Sequence, residues 1–255
     1  MKDLFQFNFN TKEHKKSAIL DIAERENLQT FSEATKGTIQ NLKKKIAEIE
    51  SKTKELESQI SDWHSTGRVP TEADRRLYDE VGGLYPEHYW TSQHLQSLAE
   101  MNIVYLFKSL EISLKAIINT AYPNVKTKGL YQWEEISALF KTYQIEITTL
   151  KGYQYSVDLR KVNNSLKHSD NLSDEIKHMK EFKTLEYYDY DNLEKFYNRV
   201  KPRVEEFVKE VAQAVVNDLF LFTDDRLEKI AESFAERMDV KTAGKLANKI
   251  IEKTK

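Results

Sequence analysis

Hydrophobic and polar positions along this chain repeat mostly with helical spacing. Phe5, Phe7 and Phe9 are the exception: they alternate with polar residues, and period two predicts an extended arm with one face on the protein. From about Lys16 to Trp63 no proline interrupts, and a single long helix is predicted. Leu28, Phe31, Thr35, Thr38 and Leu42, then Ile46, Ile49, Thr53, Leu56, Ile60 and Trp63, alternate spacings of three and four. That is a heptad seam with one stutter, where the step from Leu42 to Ile46 is four instead of three. Such a helix would be ~70 Å long and needs a partner helix along its apolar seam.

The stretch 65–74 predicts a loop followed by a helix start capped by Thr71, and the Gly82-Gly83-Leu84-Tyr85-Pro86 run predicts its end. A second long helix is predicted over about 87–121. Its centre, 101–119, is apolar on most faces, as expected of a central core helix. Further helices are predicted over about 130–143 and 149–168. Ser173 then caps a short helical piece, and a major helix runs to about 222 with Pro202 kinking it or opening a new helix. Residues 224–255 read as two short amphipathic helices with a charged end. The expected organisation is all-α, in three parts. These are an N-terminal arm with a long coiled-coil-like helix (1–86), a helical bundle (87–222) and C-terminal short helices (223–255).

Composition supports this reading. Seven glycines and four prolines in 255 residues are too few for a many-stranded β protein. Zero cysteines exclude disulfides, thiolate metal sites and cysteine nucleophiles. The longest apolar runs fall short of a membrane span, and the N-terminus lacks the apolar core of a signal peptide, so a cytoplasmic protein with no membrane partner is expected. A net charge of -2 provides no global basic field, so nucleic-acid binding would need a local patch.

The candidate chemistry lies in "LRKVNNSLKHSD", residues 159–170. At about 100° per residue, Tyr155, Leu159, Val162 and Leu166 form an apolar stripe. Lys161, Asn164 and His168 fall opposite it, Ser165 falls near His168, Arg160 sits on the flank, and Asn163 borders the stripe and is expected to be half-buried. One reading is an ordinary solvated face, with Lys167 and His168 suited to the negative end of the helix dipole. The other is a site.

Leu159-Arg160, followed by Asn164 and His168, resembles the signature helix of the HEPN superfamily of helical nucleotide-binding domains. "FKSLEISLKAII" at 107–118 and "VEEFVKEV" at 204–211 resemble the neighbouring helices, and the likeness covers roughly residues 95–220. It implies a HEPN-like helical bundle acting as a metal-independent endoribonuclease in bacterial defence or stress response, without a cofactor. It also implies a composite cleft made by two facing motif helices of a homodimer. His168 would move protons, since imidazole titrates near ~6.5. Arg160 or Lys161 would meet phosphate charge, and Asn164 would orient His168 or contact phosphate. The pattern departs from the family where Asn163 occupies the usual arginine position, and Arg160 stands one residue too far from His168. The alternative is therefore a non-catalytic HEPN-like dimer that recruits a protein partner through its long helix, or an unrelated all-α protein. His88 and His94 around Trp90, Lys43-Lys44-Lys45, and Tyr187, Tyr188 and Tyr190 are lesser candidates for metal, RNA and base stacking respectively.

Overall fold

The computed structural model describes residues 11–24, 30–67, 69–127, 132–168 and 172–254. The arm bearing Phe5, Phe7 and Phe9 lies outside the described residues. Among the described residues all regular structure is helical: α1 (Lys12–Glu24), α2 (Thr30–Thr66), α3 (Glu72–Ala121), α4 (Trp133–Thr142), α5 (Tyr153–His168), α6 (Tyr190–Phe220), α7 (Asp224–Ala235) and α8 (Val240–Thr254). A single 3-10 turn, Ile147–Thr149, joins α4 to α5.

The core forms around α6, where Leu193, Phe196, Val200, Val204, Phe207, Val211 and Val215 recur every three or four residues and are fully buried. They meet Ile103, Leu110, Leu114, Ile117 and Ile118 of α3, Leu159 and Val162 of α5, and Ile136 and Phe140 of α4. α1 belongs to this core too. Ile19 and Ile22 are buried in it, Lys15 donates to the Ala121 carbonyl at the end of α3 (2.6 Å), and Lys209 of α6 pairs with Glu24 (3.1 Å). The single helix expected over 16–63 is therefore two helices. The heptad pattern does not reveal this, because α1 and α2 are both apolar on one side while their partners differ.

α2 and the first half of α3 form an antiparallel hairpin. Ile49, Leu56 and Ile60 pack on Leu77, Val81 and Leu84, separately from the main core. Lys52 pairs with Glu80 (2.6 Å), Lys45 with Glu87 (2.9 Å) and His88 with Glu50 (3.3 Å), while the rings of Phe31 and Tyr105 stack (4.3 Å). These exposed pairs fix register more than they stabilise. From Ile49 to Ile60 the seam is thus covered by α3 within the chain.

The boundary expected at residues 82–86 falls inside α3. Thr71 does cap it, through a reciprocal capping box with Asp74. Pro86 removes one helical hydrogen bond, at a cost of about 3 kcal/mol in an isolated helix. Val81 and Leu84, buried against α2 on either side of the glycine pair, offset that cost, and the Pro86 ring faces solvent. Pro202 likewise lies exposed within α6, which continues past it.

Residues 172–189 form no α-helix, contrary to expectation. The amides of Ile176, Met179, Phe182 and Leu185 each bond the carbonyl three residues back. This three-residue period turns Ile176, Met179 and Phe182 inward, where a 3.6-residue helix would have splayed them. Ser173 caps the first of these turns by accepting from the Glu175 amide (3.2 Å).

Arg199 of α6 locks this segment to α5. Its guanidinium forks onto Glu181 (2.8 and 3.1 Å), reaches Asp158 (3.5 Å) and lies over the rings of Tyr155 and Phe196. Glu181 and Asp158 are both buried. Arg199→Ala leaves two buried carboxylates without their cation and is expected to cost about 3–5 kcal/mol. Arg199→Lys should recover only part, because an ammonium lacks the fork. Urea unfolding followed by circular dichroism measures both, and a loss below about 1 kcal/mol for Arg199→Ala would remove the lock. Among the described residues, no helix is long and apolar enough to cross a membrane.

Candidate functional site

α5 starts where Gly152 takes a positive φ of 81°, letting the chain turn tightly against α6 before the helix begins. Leu159 and Val162 are fully buried, as the apolar stripe requires. Asn164, Lys167 and His168 are exposed, and Arg160 and Lys161 are half-buried. Lys161, Asn164 and His168 thus share the helix face turned away from the core.

Two neighbours of this face are buried. Ser165, placed near His168 by helix angle, is buried: it accepts from the Ser173 amide (3.2 Å) and from the hydroxyl of buried Tyr188. The segment 172–188 folds over that flank of α5 and narrows the exposed polar face to the Lys161–Asn164–His168 side. Asn163 is not half-buried but fully enclosed. Its amide nitrogen donates to Asn164 Oδ1 (3.2 Å), while its own Oδ1 finds no hydrogen-bond partner among the described residues. Asn163 therefore orients Asn164 from beneath the surface.

Arg160 points the other way. Its Nη1 donates to Glu134 of α4, and this hydrogen bond holds the Glu134 carboxyl below its ordinary value of 4.5. A depressed carboxyl contributes its linkage above the ordinary value and loses it as pH falls through the lowered one. The α4–α5 tie should therefore hold at neutral pH and release only in acid. Glu134→Gln should abolish that acid step while changing neutral stability by less than about 1 kcal/mol, because Glu134 is exposed. The proton resonance of Glu134 followed against pH tests this; an unshifted titration would refute it. Lys161 has no ion-pair partner among the described residues, which leaves it as the cation on the His168 face. Lys167 lies over the Phe107 ring of α3 (6.0 Å).

Lys161 and His168 are separated by about 10 Å of helical rise, so one helix cannot place both on a single reacting atom unless a long side chain or a second copy closes the gap. Glu134 and Phe107, which fix where Arg160 and Lys167 point, lie far off in sequence and leave no local signal.

The lesser candidates resolve into structure. Lys43, Lys44 and Lys45 each meet an acid, Glu194 (2.9 Å), Glu48 (3.6 Å) and Glu87 (2.9 Å) respectively. Tyr188 is buried, and Tyr190 bonds Glu194 under Lys43; only Tyr187 stands well exposed. Among the described residues there is no group of three or more histidine or acidic side chains able to hold a metal. A cleft of about 520 Å³, between α2, α3 and the start of α6, contains no residue of the α5 face. No family model, no curated protein and no solved structure matches the chain.

Proposed function

We propose that this chain is a HEPN-like, metal-independent endoribonuclease whose reactive face is that of α5. The observation that carries the reading is the polar row of half-buried Lys161 and exposed Asn164 and His168 on a helix whose other side is core. His168 takes the proton from a ribose 2′-hydroxyl as that oxygen attacks the adjacent phosphate. The P–O bond to the 5′-oxygen breaks, a proton is returned to the leaving 5′-hydroxyl, and a 2′,3′-cyclic phosphate remains. The Lys161 ammonium meets the charge that develops on the phosphate oxygens, and Asn164, held by Asn163, hydrogen-bonds phosphate or imidazole. The rise between Lys161 and His168 favours a homodimer in which two α5 faces meet and each supplies what the other lacks.

A second reading, a non-catalytic HEPN-like dimer, is favoured by one observation: Arg160, the arginine of the family-like pattern, is engaged by Glu134. Purified protein incubated with single-stranded RNA in excess chelator distinguishes the two. The ribonuclease reading expects cyclic-phosphate ends, and no cleavage where the 2′-hydroxyl is replaced by hydrogen. RNA that stays intact across diverse sequences favours the binding module.

A further inference from the structure

α8 is an amphipathic helix that stands largely exposed. Every described side chain in it is exposed except Leu246, which is half-buried; Val240 is 92% exposed and Ile250 55%. Four residues, 236–239, connect it to α7, so it can reorient without unpacking the core. A 15-residue helix is only marginally stable alone in water, so its apolar side calls for cover.

The pattern says what kind of cover. Lys241, Lys245, Lys249 and Lys253 recur every four residues and spread over about 120° of the helix. Val240, Leu246, Ile250 and Ile251, with Ala243 and Ala247 between them, fill an arc of about 140° on the other side. Four lysines stand against one acid, Glu252. A matching α8 from a second copy would bring two such cationic helices together, which like charge opposes. A nucleic acid would use the lysines and leave the apolar arc in water. An anionic lipid surface uses both, because headgroups pair with the ammonium groups while the apolar arc sinks into the acyl boundary.

We infer that α8 is a membrane-surface helix that docks the protein on anionic lipid, lying on the bilayer rather than crossing it. This goes beyond the proposed nuclease and does not depend on it. α7 stays with the body: Arg226 pairs with Asp218 (3.2 Å) and bonds the Leu221 carbonyl (3.0 Å), so docking through α8 leaves the α5 face and its helix packing unchanged.

The test is co-sedimentation of the full chain with phosphatidylcholine vesicles, with and without about one-third phosphatidylserine, at low and high salt. At least about tenfold more protein should bind the anionic vesicles, and salt should release it. Leu246→Asp and the pair Lys245→Glu with Lys249→Glu should each lose that binding about tenfold or more, with the far-ultraviolet helix signal of the lipid-free protein unchanged. No binding to anionic vesicles at low salt overturns the inference. So does binding that survives Leu246→Asp, which would mark the lysines as a general polyanion surface. A lipid-free oligomer in light scattering that Leu246→Asp dissolves would also overturn it, by assigning the apolar arc to a second copy.

Discussion

Gly152→Ala should cost about 3–5 kcal/mol of folding stability, among the largest single losses available outside the aromatic core. Two causes act at one atom. Gly152 has φ of 81°, a region that L side chains enter only with strain of about 1–2 kcal/mol. A β-carbon there would also stand 2.1 Å from the Arg203 carbonyl oxygen and 2.9 Å from Phe207 Cβ, so α5 and α6 would have to part. The close approach of that backbone is what lets Tyr153 and Phe207 meet edge to face (5.9 Å). Gly83→Ala is the control. Gly83 is exposed within α3, and a β-carbon there meets open space. The change should stabilise by up to about 1 kcal/mol. Urea unfolding followed by circular dichroism gives both values, and equal midpoints for the two variants would refute the argument.

His168→Ala should lower RNA cleavage by about 100- to 10,000-fold if the nuclease reading holds, because His168 is the one histidine of α5. His168 is exposed and opposite the apolar stripe, so the variant should unfold at the wild-type urea concentration. Lys161→Ala should lose about 10- to 1,000-fold by removing the cation that meets phosphate. Arg160→Ala should change cleavage far less, since its guanidinium is committed to Glu134. Asn163→Ala should fall between these, acting through Asn164. If Arg160→Ala proved as damaging as His168→Ala, the assignment of the cation to Lys161 would be wrong. Wild-type activity in His168→Ala would remove the nuclease reading.

What could be read from the sequence was periodic and local. The stripe Leu159–Val162, the exposure of Asn164 and His168, the Thr71 cap and the two amphipathic helices after 223 all follow from spacing. Sequence and structure part company where a distant partner outweighs a local signal. Gly82, Gly83 and Pro86 would end an unsupported helix, yet α2 alongside Val81 and Leu84 carries α3 through them. α1 and α2 look like one helix because nothing local distinguishes the neighbours each will bury against. Helix angle sets Ser165 beside His168, but Ser173 and Tyr188 of the following segment cover it. Arg160 gave no local hint that Glu134 would claim it.

Because α3 runs without a break from the hairpin into the core, the protein contains a lever. At 50 residues the helix is about 75 Å long, and roughly 40 Å of it, before Ala99, lies between the main core and the hairpin end. Over such an arm, a tilt of about 5° at the core displaces the far end by about 3.5 Å. The reverse also holds. A load applied near Thr71 acts with that mechanical advantage on Leu110 and Leu114, which pack in the main core together with Leu159 and Val162 of α5. Whatever grips the far end of the hairpin therefore pulls directly on the packing beneath the Lys161–His168 face.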